Sequence, residues 1–186
     1  MIFGNPYRFA VWTEYIPQWS ESYKNGLFYL IINGNLYPGD IRTSTLSSDL
    51  YEIIDDDCAL ISHPENEAIF NLSTEDAFKH LFDLAYPESS EDNEYPDQLL
   101  DYCITCPNIT DFGGCFFAVA DKRSLRILGG VTEHLVKDES QERNIWQRID
   151  KPLIEDITLP KDEIKKIMGN VREYAISLLR LKNLGP

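Results

Sequence analysis

An α+β fold, mainly antiparallel sheet built from hairpins with three helices, is what this sequence predicts. Strand-like runs rich in aromatic and β-branched residues fill the first third and recur in the last. Two amphipathic stretches lie between them, and a long apolar stripe of helical period closes the chain. The strand runs outnumber the helices and are linked by short turns, which favours antiparallel pairing. At 186 residues the length suits one domain, 1–186. A chain of that size buries enough surface to fold without metal or disulfide.

Residues 8–16, from Arg8 to Ile16, read as a strand that stops at Pro17. A second strand is expected over residues 27–32. Asn33-Gly34 follows it, the pair that best tolerates positive φ at both centres of a type I′ turn. Residues 36–37 and then 41–43 should form the returning strand, with Pro38-Gly39 as a bulge or second turn. Leu46, Leu50, Ile53 and Ile54 fall at i, i+4, i+7 and i+8, so residues 47–56 should form a helix with one apolar face. Ala59-Leu60-Ile61 and Ala68-Ile69-Phe70 read as short strands. A second helix starts at Ser73, with Asp76 as a capping-box variant whose charge suits the dipole. Ala77, Phe78, Leu81, Phe82 and Ala85 form its stripe, and Pro87 lies past its end.

Residues 87–97 carry no apolar periodicity and read as an exposed acidic loop. It is longer than the usual ~4–6 residues, and long loops often carry function. In the last third, residues 115–120 should pair with 125–128 across 121–124, with Gly129-Gly130 allowing a bulge before a strand over 131–136. A charged connection leads to a strand expected over 153–159. Pro160 opens the final helix, where Ile164, Ile167, Met168, Val171, Ala175, Leu178 and Leu179 recur at helical spacing.

Charge is the first functional clue. The formal net charge is −14, from 31 acids against 17 bases. Between Thr43 and Asp121 stand 18 acids and a single base, Lys79, so the excess belongs to the middle of the chain. Such a field repels phosphate backbones and anionic lipid, which excludes nucleic acid and membrane as partners. It attracts a basic partner and speeds its association. The longest apolar runs, residues 27–32 and 115–120, are six residues each, far short of the ~20 that a spanning helix needs. Met1-Ile2-Phe3-Gly4-Asn5-Pro6 lacks the basic and apolar regions of a secretory signal. A cytoplasmic home is therefore expected, with Cys58, Cys103, Cys106 and Cys115 reduced.

Catalytic signatures are fragmentary. Cys103-Ile104-Thr105-Cys106 has no second pair at zinc-ligand spacing. His63-Pro64-Glu65 followed by that pair resembles the His-x-Glu and Pro-Cys-x-x-Cys of zinc deaminases. The alternative enzyme reading thus rests on His63, Glu65, Cys103 and Cys106, but Tyr102 stands where the proline belongs. Asp111-Phe112-Gly113 is a lone kinase-like triplet without the other kinase motifs. From Asp55 a calcium loop would need Gly and Glu where Leu60 and Asn66 stand. No metal site, cofactor or catalytic residue is assigned.

At Ile2-Phe3-Gly4-Asn5-Pro6-Tyr7-Arg8-Phe9-Ala10 the sequence resembles a known family, and Gly26-Leu27-Phe28, Ile32-Asn33-Gly34 and Ile41-Arg42-Thr43-Ser44-Thr45-Leu46 extend the match. It is similar to an immunity-protein family of bacterial polymorphic-toxin systems, the one numbered forty-two. The resemblance implies a non-catalytic cytoplasmic protein that binds and blocks a cognate toxin, as in contact-dependent inhibition. Toxins that cleave nucleic acid present basic surfaces, so an acidic inhibitor fits a basic nuclease. The partner-binding candidates are Asp55, Asp56, Asp57, Glu88, Glu91, Asp92, Glu94, Tyr95 and Asp97. Tyr51, Tyr95 and Tyr102 are candidate anchors, because charge chiefly sets association rate while buried aromatics hold a complex. A structural or assembly subunit is the third reading, one in which the acidic region would be buried between copies.

Overall fold

The computed structural model describes residues 1–104, 106–138 and 143–180. Its first sheet places β1 (Ile2–Gly4), β2 (Phe9–Tyr15), β3 (Asn25–Ile32) and β4 (Asn35–Tyr37) side by side, all antiparallel. Asn33-Gly34 makes the expected primed turn: Ile32 pairs with Asn35, and the two turn residues have φ of 52° and 88°. A Cβ on Gly34 would meet nothing within 4 Å, so glycine serves the backbone angle alone. The return strand does not continue over residues 41–43, where Ile41 is 86% exposed. Pairing resumes at β5 (Ser44–Thr45), which joins Asn25 and Gly26 at the far end of β3.

Helix α1 (Leu46–Ile53) buries Leu46, Leu50 and Ile53 as its period predicts. The two short runs expected as strands are instead helical turns, α2 (Ala59–Ser62) and α3 (Glu67–Phe70). Three apolar residues are too few for periodicity to separate strand from helix. The Asn66 side chain caps α3 by accepting from Ile69 N at 3.1 Å. Extended pairing falls between the two turns: Ala120 N donates to Pro64 O, and Asn66 N donates to Ala120 O. Helix α4 (Thr74–Ala85) starts where Ser73 and Asp76 predict, with Ser73 Oγ accepting from Asp76 N at 3.2 Å and donating to its carboxylate at 2.7 Å.

After the turn α5 (Pro107–Thr110) comes the second sheet: β6 (Gly114–Ala120), β7 (Ser124–Val131) and β10 (Glu155–Pro160), with β7 central. Gly129 and Gly130 form no bulge; β7 keeps register through both, with Phe116 and Glu155 flanking Gly129. The glycines serve close approach instead, since a Cβ on Gly129 would lie 2.4 Å from Cys115 O. The strand expected over 131–136 is divided, for Val131 ends β7 and β8 (Glu133–Asp138) begins after Thr132. Within the expected charged connection lies another strand, β9 (Arg143–Arg148), paired with β8 as a separate two-stranded ribbon. The last helix, α6 (Lys161–Leu179), follows Pro160 as expected.

All seven residues of β6 are buried, because the second sheet is covered on both faces. Phe116, Ala118 and Ala120 join a core with α1, α2, α6 and the inner face of the first sheet. Cys115, Phe117 and Val119 alternate to the other side and meet Ala77, Phe78, Leu81 and Ala85 of α4. No helix among the described residues is long and apolar enough to cross a membrane.

Buried polar groups fix how these layers meet. Glu155, at the start of β10, accepts from Asn33 Nδ2 (2.9 Å), Asn35 Nδ2 (2.6 Å) and Tyr37 Oη (2.8 Å), tying the first sheet to the second. Burial and the adjacent Glu155 carboxylate raise the Tyr37 pKa, which keeps its hydroxyl a donor. Asp49 of α1 accepts from Ser44 Oγ, Cys106 Sγ and Asn108 N, seating α5. Arg126 grips both oxygens of Asp156 and donates to the carbonyls of Phe70, the last residue of α3, and Leu72 just beyond it. Burial alone would raise the Asp156 pKa, but the bonds from Arg126 and Thr74 outweigh it and hold it below the usual value.

Three outcomes follow from this architecture. Gly34→Ala should cost about 1 kcal/mol, read as a lower urea midpoint at unchanged slope, because alanine resists that φ. Glu155→Ala should cost at least about 2 kcal/mol by stranding buried donors, and Glu155→Gln less, since it keeps an acceptor. The contribution of Asp156 is complete above the unfolded carboxylate value and is lost as pH falls through its depressed one. Tm should therefore drop below about pH 4, and more shallowly in Asp156→Asn.

Candidate functional site

The acidic loop starts where α4 ends. Pro87 follows the helix, and the chain re-engages it at Leu99, whose N–H donates to Leu84 O at 2.9 Å. Between these points Ser90 and Asn93 exchange backbone bonds, and Ser90 Oγ accepts from Asn93 N, so the loop carries its own turn. Glu88, Glu91, Asp92, Glu94 and Asp97 are all exposed, and Tyr95 is 82% exposed beside Glu94. No lysine or arginine occurs in sequence between Lys79 and Lys122, so the loop carries no base of its own.

Asp55, Asp56 and Asp57 lie elsewhere. They follow α1, where Asp55 Oδ1 accepts from Asp57 N at 2.9 Å in a short turn. With Tyr51, 51% exposed, and Arg172 of α6 they line a recess of about 130 Å³. Arg172 bonds Asp56 at 3.1 Å, so part of this charge is already balanced within the chain. The run sits on the α1–α6 side of the second sheet, whereas the loop continues from α4 on the opposite side. The two acidic segments that sequence groups together are thus separated by a three-stranded sheet. Tyr102 is not a free anchor either: its hydroxyl accepts from Asn66 Nδ2 at 3.3 Å, and its ring packs in the second core.

The residues of the deaminase-like pattern are each engaged structurally. His63 closes α2 with φ 52°, and its Nε2 lies 3.0 Å from Leu60 O. Glu65 is bound by Lys161 Nζ at 2.5 Å. Cys106 Sγ donates to Asp49, and burial raises its pKa well above the thiol range. Burial likewise lifts Cys103 to about 11 and Cys58 to about 12, so neither is a ready thiolate. All four cysteines are free and buried. Among the described residues no group of three or more His, Cys, Asp or Glu side chains is placed to hold a metal.

A groove that sequence reading missed lies at the base of the β8–β9 ribbon, where Glu133 and Arg148 line it. One cavity of about 660 Å³ runs between α4 and the connection after β9, with Phe78, Phe82 and Ile154 among its apolar walls and Glu88 at its margin. A second, of about 260 Å³, shares Phe82 and Thr132 with it. The Arg148 guanidinium stands 5.1 Å from the Phe82 ring centroid, between ribbon and helix. Leu135 and Trp146, 51% and 48% exposed, are directly paired across the ribbon. The signal was present in sequence as Leu135-Val136 and Ile145-Trp146 flanked by charges, two short runs that only their mutual pairing makes legible.

The fold is shared with a known protein. The crystal structure of CdiI from Burkholderia dolosa AUO158 superposes with a TM-score of 0.69 at 22% identity, covering 94% of this chain and 99% of that one. No curated protein sequence matches the chain. The family model described as Immunity protein 42 matches residues 1–174, nearly the full length and including both acidic segments and the ribbon. On that match the chain belongs to the Immunity protein 42 family.

Proposed function

We propose that this immunity protein neutralises a cognate toxin without catalysis, by covering a basic face of the toxin with the acidic loop over residues 87–97. The observation that carries the reading is the loop itself: Glu91 and Asp92 stand exposed on a hydrogen-bonded turn, flanked by exposed Glu88, Glu94, Tyr95 and Asp97, with no neighbouring base in sequence. Opposed charge of this kind steers encounter and selects the partner. A nuclease is the toxin class that fits best, because a surface built to hold phosphates is basic and a carboxylate loop occupies it as a phosphate backbone would. Asp55, Asp56 and Asp57, on the other side of the second sheet and partly neutralised by Arg172, form a subordinate acidic surface in this reading. The site of action is the cytoplasm of the protected cell, with neither nucleic acid nor membrane as a direct partner.

Replacing Glu91, Asp92 and Glu94 by Gln, Asn and Gln should slow association with the toxin module encoded beside the gene by about tenfold at low salt. The salt dependence should flatten, while dissociation changes little. Stopped-flow measurements at two ionic strengths read both effects, and kinetics identical to the wild type would retire the loop as the docking element.

A further inference from the structure

The β8–β9 ribbon is poorly supported by its own chain. Two strands alone are marginal in water, and all six residues of β9 are exposed. By register Glu133 pairs with Arg148 and Leu135 with Trp146, so these four side chains share one face. That face turns toward the body of the protein: Arg148 lies over Phe82, and Trp146 Cζ3 would come within 3.2 Å of a Cβ on Gly113. The groove at its base comprises two cavities that adjoin at Phe82 and Thr132: the larger has an apolar floor bordered by the first carboxylate of the acidic loop, and Gly113, against Trp146, lines the smaller. A half-exposed tryptophan beside a phenylalanine-lined groove is the arrangement that anchors protein interfaces.

We propose that this groove receives a basic segment of the cognate toxin, whose apolar anchor seats on Phe82 beside Trp146 while its cationic flank meets Glu88. The proposal rests on the toxin-binding reading above and adds a division of labour: the loop sets the rate of encounter and the groove sets the lifetime of the complex. Charge selects the occupant. Carboxylates outnumber cations five to three along the groove walls. A second copy of this chain would bring a formal net charge of −14 to that acidic border. Antiparallel pairing of β9 with its own copy would also set Arg143 against Arg148 at both ends. A basic partner meets neither penalty.

The test uses the full chain and the purified toxin module encoded beside its gene. Trp146→Ala should dissociate from the module about tenfold faster with little change in association, the reverse of the loop variant. Hydrogen exchange of the wild-type complex should show new protection over residues 78–88 and 143–154. A wild-type dissociation rate in Trp146→Ala at unchanged Tm, or protection confined to α6 and residues 51–57, would overturn the groove while leaving toxin binding intact. A dimer of the free protein that Trp146→Ala dissolves would also overturn it, by assigning the groove to a second copy. A wild-type chain that does not bind the module at all would overturn both the groove and the functional reading beneath it.

Discussion

A buried carboxylate that, among the described residues, is held by neutral donors ties the two sheets of this molecule together. Glu155 is nearly inaccessible and accepts from Asn33, Asn35 and Tyr37, all on the hairpin of the first sheet. An ionised acid in such a place is costly unless its lone pairs are filled. Here neutral donors fill them, and they come from the other sheet, so the charge is satisfied only when the two sheets are docked. The same bonds fix the start of β10. Residues 148–152 and Ile154, just before it, line the larger cavity, so the shape of the groove depends on an interaction outside it.

The parts of the fold that sequence made legible are those whose cause is local. Asn33-Gly34 specifies its turn by backbone angle, Ser73 with Asp76 marks a helix start by side-chain bonding, and the stripe from Ile164 to Ala175 repeats long enough to define a helix. Where the cause is distant, sequence misled. Ala59–Ser62 and Glu67–Phe70 form helical turns because the pairing with Ala120 is taken by Pro64 and Asn66 between them. Gly129 and Gly130 look like a bulge until the carbonyls of the flanking segments are seen pressed against them. The acidic loop was visible in composition, but its separation from Asp55, Asp56 and Asp57 was not, since no linear feature reveals which side of a sheet a segment occupies.

The basic residues explain why the negative charge stays concentrated. Arg8 pairs with Glu163, Arg126 with Asp156, Lys161 with Glu65 and Arg172 with Asp56. Arg126 with Asp156 is largely buried and ties the layers together, whereas the more exposed pairs add only ~0–1 kcal/mol each and act mainly on the surface field. They quiet the α6 flank and the ends of the second sheet. Beside the loop after α4, Lys79 pairs with Asp83 within the helix itself.

The second sheet, clad on both faces, acts as a septum. On one side lie the helices and strands that carry most of the buried apolar mass. On the other, α4 supports the loop and abuts the ribbon through Phe82. Substitutions distant from one another and without shared neighbours combine almost independently. Changes on the flank bearing loop and ribbon should therefore leave the opposite flank, with its larger core, undisturbed. Tolerance of surface change and constancy of architecture thereby fall to different faces of one three-stranded partition.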